Sequence, residues 1–404
     1  MKKLLIVGGS DKQLPIITRA KELGYYTLCI DGNPNSIGFL YADTYKVIDI
    51  KKLEECYQYA LKEQIDGVTT LSSTATLPAV SYIAEKMQLT GISHRIAENL
   101  KSKYKMKEIL YQKGLNVKSE FFEIHSKEEW EKRKTNIELP IVVKPSDGSA
   151  SKGVSVVKEE YKLESAIQYA LKSSKNSSVY IEPYIEGEEY GVESFTYQGE
   201  VYILGVIKQT MKMGEDGLLD YGHCVPSGLP IEIEERIKQE VKKAIQALGI
   251  QYGSVNMDII LGKDERPYII DIGPRIGLNL IASHIIPYST GVNIIDNTIK
   301  SALGEEVSFQ FEKNEPVATR VLIMKAGKIK KIENIESLIK DDVLDIILKV
   351  KEGDIVKEYK TKSDACGWVI AKGSDTKQAN ENAYKAKQKL NKMFYIEEEM
   401  YDIK

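Results

Sequence analysis

The first 90 residues alternate between two patterns of apolar positions. Short continuous apolar runs predict buried strands, and the stretches between them, with apolar residues three or four positions apart, predict helices. Strands that alternate with helices in this way predict βαβ units and a parallel sheet. The predicted strands are Leu4–Val7, Tyr26–Ile30, Tyr45–Ile48 and Val68–Leu71, and the predicted helices run from about 13 to 23, 53 to 63 and 76 to 86.

From Ser102 onward the predicted strands follow one another closely. A charged helix is predicted first, over 102–114, and an amphipathic helix later, over Glu234–Leu248, where apolar residues recur at 237, 241, 244, 245 and 248. The strands Ser254–Leu261 and Tyr268–Ile272 are joined by a polar turn, which predicts a hairpin. After about residue 304, short strands and a polar helix over about 376–393 predict a small α+β domain.

Composition excludes several classes of function. The chain has 404 residues and a formal charge of −3, so it lacks the broad basic surface of a dedicated nucleic-acid binder. No apolar stretch reaches the length of about 18 residues that a membrane span needs, and the apolar run at the start is too short for a signal peptide. The 4 cysteines and 4 histidines show no zinc-ligand or disulfide spacing. We therefore predict a cytoplasmic protein without a nucleic-acid or membrane partner.

A lysine stands at the end of an apolar strand, directly before a glycine- and serine-rich loop. The strand is predicted over Pro140–Lys144 and the loop over Asp147–Gly153. Burying an ammonium group is costly unless it meets an anion, and glycine lets backbone N–H groups approach a phosphate closely. This pairing favours a phosphate site. The alternatives are a lysine that reaches solvent from an edge strand and a plain surface turn.

Carboxylates occur at two further places where ligand chemistry is plausible. Glu182 ends the predicted strand over 179–184, where it could accept a hydrogen bond from an adenine amino group, and the acids of 188–193 could bind ribose hydroxyls. For each of these glutamates taken alone, a solvated strand end is the favoured interpretation.

Asp258 and Asp271 lie within the two apolar strands of the predicted hairpin. Adjacent antiparallel strands can place both carboxylates on one face, where they repel each other unless a cation lies between them. Mg²⁺ prefers one or two carboxylates together with phosphate oxygens, and Arg275 follows closely enough to hold an anion. The alternative places one acid in a turn and pairs the other with Arg275.

The order of these segments resembles the ATP-grasp superfamily, in particular its carboxylate–amine ligase branch, which includes biotin carboxylase, carbamoyl-phosphate synthetase and L-amino-acid ligases. The resemblance covers about residues 1–310 and is carried by SKYKMKEIL, PIVVKPSDGSASKGV, IEPYIEGEEYGVE, NMDIIL and YIIDIGPRIGLN. It implies an α/β fold with an N-terminal Rossmann-like parallel-sheet domain over 1–98 and an ATP-grasp domain over 99–308. A mobile lid is expected at about 117–188, and a small α+β domain over 309–404.

The resemblance also implies roles for individual residues. Catalytic roles fall on Arg275, Lys208 and His223, although His223 could equally be structural. Asp258 and Asp271 are implied metal ligands. Nucleotide contacts are implied for Lys103, Lys144, Ser149, Lys152, Gly153, Glu182, Tyr184, Ile185 and Glu189.

The chain departs from the family pattern at the metal motif. Both acids are aspartates where the family usually has glutamates, and Gly273 stands where the family usually has an asparagine. Asn279 or Asn256 could substitute for that asparagine. These departures concern the number and geometry of metal ions rather than the fold.

The activity that the resemblance implies is a ligase reaction with ATP and Mg²⁺. A small carboxylate, such as an amino acid or a sugar acid, becomes an acyl phosphate and then reacts with an amine to give an amide, ADP and phosphate. Two alternatives stay open: an ATP-grasp kinase that forms no amide, and a non-catalytic ATP-binding regulator. The expected partners are the small-molecule substrates, and a homodimer is also open.

Overall fold

The computed structural model describes residues 1–71, 73–118, 120–133, 138–148, 152–214, 217–277, 280–361 and 364–397. The chain divides into two compact units, and each contains several segments of the sequence. Unit 1 comprises 1–204, 235–283 and 292–310, and unit 2 comprises 205–234, 284–291 and 311–404.

Unit 1 begins with a parallel sheet in the strand order β3-β2-β1-β4, which confirms the predicted βαβ pattern. Leu5 and Leu28 on adjacent strands are completely buried, as expected where helices cover both faces of a sheet. The elements are β1 Lys3–Val7, α1 Leu14–Glu22, β2 Tyr26–Asp31, β3 Thr44–Val47, α2 Leu53–Glu63, β4 Gly67–Thr69, α3 Leu77–Lys86 and α4 His94–Asn99, with 3₁₀ turns at Asp11–Gln13 and Ile37–Leu40.

An antiparallel sheet in the order β5-β8-β6-β7 follows in unit 1. Ile141 of β6 pairs with Val157 of β7, so the glycine- and serine-rich loop lies between antiparallel strands as predicted. The elements are α5 Lys103–Gln112, β5 Phe122–Ile124, α6 Lys127–Arg133, β6 Ile141–Pro145, β7 Ser155–Val157, the 3₁₀ turn Glu160–Lys162, α7 Leu163–Ser173 and β8 Val179–Pro183.

The chain leaves unit 1 within a long strand and returns within a helix. The elements are β9 Gly187–Tyr197, β10 Glu200–Gly214, β11 Gly217–Val225, α8 Ile231–Leu248, β12 Gly253–Gly262, β13 Pro267–Gly273, the π-helical turn Ile281–Ile285, α9 Ile286–Thr290 and α10 Ile294–Ala302. In unit 1, β12 pairs antiparallel with both β13 and β9. The stripe predicted for α8 is confirmed, because Ile237, Val241, Ala244, Ile245 and Leu248 are all buried.

Unit 2 has an antiparallel sheet that contains β11-β14-β18-β16 and a smaller sheet in the order β17-β15-β19. Ala379, Ala383 and Leu390 of α11 are buried at helical spacing, in agreement with the predicted α+β character. Among the helices of the described residues, none is long and apolar enough to cross a bilayer. The elements are β14 Val317–Leu322, β15 Gly327–Ile332, the 3₁₀ turn Ile335–Leu338, β16 Val343–Leu348, β17 Ile355–Val356, β18 Gly367–Lys372, α11 Thr376–Asn391 and β19 Phe394–Glu397.

Candidate active site

A buried carboxylate on β8 is held between lysine side chains. Glu182 is only 4% exposed, and its Oε1 lies 2.6 Å from the Nζ of Lys144 on β6. Its Oε2 lies 3.0 Å from the Nζ of Lys107 on α5 and accepts a hydrogen bond from the hydroxyl of Tyr180 at 3.0 Å. Burial alone would raise the pKa of Glu182, but the charges of Lys107 and Lys144 outweigh this and lower the pKa to about 2.

Lys107 is as deeply buried as the carboxylate it contacts. Its ammonium group also donates a hydrogen bond to the carbonyl oxygen of Ile269 on β13. Burial lowers the pKa of Lys107, and the charge of Glu182 opposes that shift. One carboxylate therefore faces the ammonium groups of Lys107 and Lys144, and this cluster carries excess positive charge. Such a charge suits a phosphate group.

Lys103 and Asp271, which sequence reasoning assigned to nucleotide and metal, contact each other directly. The Nζ of Lys103 lies 2.6 Å from the Oδ2 of Asp271. The first turn of α5 is fixed by Ser102, whose hydroxyl accepts from the N–H of Lys105, and by Ser146, whose carbonyl accepts from the N–H of Lys103. Burial would raise the pKa of Asp271, but the charges of Lys103 and Lys144 lower it.

Lys103 and Lys107 are four residues apart on α5, so they lie on one face of that helix. From this face the ammonium group of Lys103 contacts Asp271 and that of Lys107 contacts Glu182. Sequence reasoning identified Lys103 and missed Lys107. The i, i+4 spacing of lysines within SKYKMKEIL was the signal that could have found it.

Asp258 and Asp271 are direct partners in the antiparallel pairing of β12 and β13, as predicted. Side chains of directly opposed residues project on the same face of a sheet. The described residues contain no group of three or more histidine, cysteine, aspartate or glutamate side chains placed to hold a metal ion. A pair of hard carboxylate ligands nevertheless fits Mg²⁺, which completes its coordination with phosphate oxygens and water.

The loop that carries Arg275 is anchored by a buried glutamate that sequence reasoning missed. The N–H of Gly277 donates to both carboxylate oxygens of Glu193, at 3.1 and 3.0 Å, and the amide of Asn256 donates to Oε2 at 3.0 Å. Burial raises the pKa of Glu193 to about 8. A Cβ atom at Gly277 would lie 2.6 Å from Glu193 Oε2, so this close approach requires glycine. Asn279, the other candidate for the family's asparagine, lies outside the described residues.

The hinge residues after β8 lie beside the Glu182 cluster. The N–H of Tyr184 donates to the carbonyl of Pro140 at 2.9 Å, Ile185 is buried and Glu189 is half-buried on β9. The carboxylate of Glu182 contacts Lys107, Lys144 and Tyr180. The hydrogen bond to adenine that the sequence led us to expect of Glu182 stays a prediction.

Only part of the predicted phosphate loop lies within the described residues. Ser149 is outside them, and Lys152 is exposed. Gly153 has a φ of +79°, and a Cβ atom there would lie 2.6 Å from the Cβ of Ser173 and 2.7 Å from the Cγ of Pro145. Both the backbone conformation and the close packing therefore require glycine at this position.

Lys208 and His223 belong to unit 2. Lys208 pairs in register with Cys224, and the N–H of His223 donates to the hydroxyl of Thr319 at 3.0 Å. The Nε2 of His223 lies 3.5 Å from Asp220 Oδ2, and both side chains are buried. Arg320 lines the same groove as Lys208 and was missed by sequence reasoning; burial lowers its pKa.

Comparison with known proteins identifies domains in two parts of the chain. Residues 100–278 match the model of the ATP-grasp domain. The chain contains an ATP-grasp domain. Residues 320–392 also match L-amino acid ligase C-terminal domain 2, so the resemblance noted in the sequence is confirmed in both parts of the chain.

Two solved structures resemble this chain over almost its whole length. The L-amino acid ligase from Bacillus licheniformis has a TM-score of 0.81 and 25% identity, with 98% of each chain covered. The phosphoribosylglycinamide synthetase from Anaerococcus prevotii has a TM-score of 0.79 and 26% identity, with 98% of this chain and 99% of that chain covered.

Sequence relatives give a more partial match. The carbamoyl phosphate synthase large chain of Thermotoga petrophila is 26% identical over 79% of this chain. The chain spans only 28% of the length of that synthase subunit.

Proposed function

We propose that this ATP-grasp protein is an ATP-dependent carboxylate–amine ligase. It activates a small carboxylate, an amino acid or a sugar acid, as an acyl phosphate and joins it to an amine. The observation that carries the proposal is the match of residues 320–392 to an L-amino acid ligase domain, together with the 98% mutual coverage with an L-amino acid ligase structure.

The lysine–carboxylate network supports a nucleotide site in unit 1. Lys103, Lys107 and Lys144 converge from α5 and β6, and Glu182 and Asp271 fix their ammonium groups in place. A triphosphate bound beside these lysines would meet ammonium groups that are already fixed in position. Less conformational entropy is then lost on binding. In this proposal the loop before β7, with Lys152 and Gly153, covers the phosphates.

The reaction has two steps in this proposal. A carboxylate oxygen attacks the γ-phosphorus of ATP, the bond between that phosphorus and the β,γ-bridging oxygen breaks, and ADP leaves. The neutral amine then attacks the acyl carbon, a proton leaves its nitrogen, and inorganic phosphate departs. Arg275 neutralises the charge that develops on the acyl oxygen and the transferring phosphoryl group. Glu193, which anchors Gly277, positions the loop of Arg275.

Asp258 and Asp271 would hold the magnesium ion. A bound Mg²⁺ supplies charge neutralisation at the phosphate oxygens. In unit 2 we assign Lys208 and His223 to the substrate, where the buried Asp220 orients the imidazole of His223.

The test measures ADP release with ATP, Mg²⁺ and pairs drawn from a panel of carboxylates and a panel of amines, with mass spectrometry of the products. We expect ADP and an amide to form together, and only when both substrates are present. Arg275→Met should abolish both products. Arg266→Met, which removes an exposed arginine in the turn between β12 and β13, is the matched control and should leave them unchanged.

Other outcomes would replace the proposal. ADP release that needs a single substrate and leaves a stable phosphorylated product would identify a kinase. Tight binding of ATP and Mg²⁺ without ADP release from any pair would identify a non-catalytic ATP-binding protein.

A further inference from the structure

The two strands that carry the proposed metal ligands do not pair in one continuous register. At the turn end of the hairpin, β12 and β13 pair residue against residue as far as Ile259, which lies opposite Ile269. The register then shifts, so that Ile270 is left out of the pairing and Asp271 lies opposite Asp258. One extra residue in one strand of an antiparallel pair is a β-bulge, and it changes which side chains face each other beyond it.

The bulge at Ile270 is what brings the two aspartates together. In the unshifted register, Asp258 would lie opposite Ile270, and Asp271 would lie opposite Met257. Because successive side chains of a strand point to alternate faces, Asp271 would then project from the face opposite to that of Asp258. The proposed magnesium site therefore depends on where β13 accommodates this one extra residue.

The residue directly before the bulge is fixed from outside the sheet. In the described part of the chain, β13 is an edge strand of its sheet. Both backbone polar groups of Ile269 are nevertheless bonded to segments other than β12. Its N–H donates to the carbonyl of Asn116 at 3.2 Å, and its carbonyl accepts from the Nζ of Lys107. Ile269 is completely buried, so neither group could turn to water if these partners moved.

A buried carboxylate on α8 holds Asn116 in turn. The N–H of Asn116 donates to Oε1 of Glu240 at 2.6 Å, and Glu240 is only 8% exposed. A carboxylate oxygen accepts such a hydrogen bond more strongly than a carbonyl oxygen does. The start of the bulge is thus tied to Glu240 through Asn116, and to Glu182 through Lys107.

We propose that Glu240 is a positioning residue for the magnesium site. Through Asn116 it fixes the bulge at Ile270, and the bulge keeps both aspartates on one face of the sheet. This inference rests on the metal role proposed for Asp258 and Asp271. When the carboxylate of Glu240 is removed, the bulge can move along β13, and the two aspartates no longer share a face in the molecules where it has moved.

The test is calorimetry of ATP binding at a series of Mg²⁺ concentrations, which gives the concentration for half-maximal enhancement of binding. Residues that orient metal ligands typically change metal affinity by 10- to 100-fold, so Glu240→Met should raise this concentration roughly tenfold. Glu240→Gln keeps an acceptor oxygen for the N–H of Asn116 and should recover most of the loss. The affinity for ATP without Mg²⁺, which a general loss of structure would lower, should not change.

Glu235→Met is the matched control, because it makes the same substitution at an exposed position of α8. It should keep the wild-type dependence on Mg²⁺. Amide hydrogen exchange followed by mass spectrometry reports the hydrogen bonds directly, without any ligand. Exchange over 115–118 and 267–272 should accelerate in Glu240→Met and stay as in the wild type in Glu235→Met.

The metal assignment and the positioning role fail in different ways. An unchanged dependence on Mg²⁺ in Asp271→Asn would overturn the metal assignment and this inference with it. If Asp271→Asn abolishes the dependence and Glu240→Met leaves it unchanged, only the positioning role is wrong. Equal losses in Glu240→Met and Glu240→Gln would also overturn that role.

Hydrogen exchange of the wild type keeps the inference testable if Glu240→Met does not fold. The amides of Asn116 and Ile269 should then be among the slowly exchanging ones of the wild-type protein. Rapid exchange at both would show that these hydrogen bonds do not hold the bulge.

Discussion

Replacement of Glu182 by glutamine tests the central ion cluster. Glu182→Gln removes the only negative charge that contacts Lys107 and Lys144 within the described residues, and both ammonium groups then stay buried. Removal of one partner from a buried ion pair costs about 3–5 kcal/mol, because the other charge loses its compensation. We expect the free energy of unfolding to fall by that amount.

The pKa of Glu182 gives a second, independent value for the loss in free energy of unfolding. The folded protein holds this pKa at about 2 instead of its usual 4.5. This difference corresponds to about 3 kcal/mol of stability. Because the folded pKa is depressed, the contribution is complete above pH 4.5 and is lost as the pH falls towards 2. The wild type should therefore lose its advantage over Glu182→Gln in that window.

The assay is urea-induced unfolding followed by circular dichroism at neutral pH. Glu186→Gln is the matched control, because Glu186 also has a lysine at 2.6 Å, but its side chain is 66% exposed and that of Lys263 is 72% exposed. An exposed pair of this kind contributes about 0–1 kcal/mol. Equal losses in the two variants would refute the argument that burial, rather than distance, decides the effect.

A double variant keeps the test informative if Glu182→Gln does not fold. Lys107→Met combined with Glu182→Gln removes one cation together with the carboxylate and leaves an apolar side chain of similar length in the core. The double variant should be more stable than Glu182→Gln alone. A double variant that is less stable than the single one would show that the hydrogen bond from Lys107 to the carbonyl of Ile269 outweighs the cost of its uncompensated charge.

Three further predictions concern the site. Asp271→Asn should lower ADP formation by at least about 100-fold with unchanged circular dichroism, and wild-type turnover would refute the metal assignment. Lys144→Ala should weaken ATP binding by roughly tenfold in calorimetry, and an unchanged affinity would count against its phosphate role. Burial raises the pKa of Glu193 to about 8. The free energy of unfolding of the wild type should therefore decline relative to that of Glu193→Gln as the pH rises from about 5 to 8. A difference between the two proteins that stays constant over this range in urea titrations would contradict the raised pKa of Glu193.

Patterns within one segment of sequence predicted the fold well. The apolar spacing of α8 is reproduced by its buried face, and the two apolar strands that carry Asp258 and Asp271 form the predicted hairpin. In both cases the periodicity of the local sequence is enough to state which face is buried.

Contacts between distant segments could not be predicted in the same way. A fully buried lysine is rare, so Lys107 was read as part of a charged helix surface. Its partner Glu182 is 75 residues away in sequence, and nothing near Lys107 indicates the pairing. Glu193 was missed for the same reason, since its partner Gly277 becomes a neighbour only when β9 and β12 are paired.

Unit 2 is made of three separate segments of the chain, and this affects the order in which its strands pair during synthesis. Cys224 of β11 pairs with Ala318 of β14, so β11 cannot form this pairing until almost a hundred further residues have been synthesised. The entropy of closing a loop grows only slowly with its length, so the delay costs time more than stability. The sheet of unit 2 is therefore a late-folding part of the nascent chain. A chain truncated before β14 would leave the edge of β11 unpaired and exposed, and such an edge promotes aggregation.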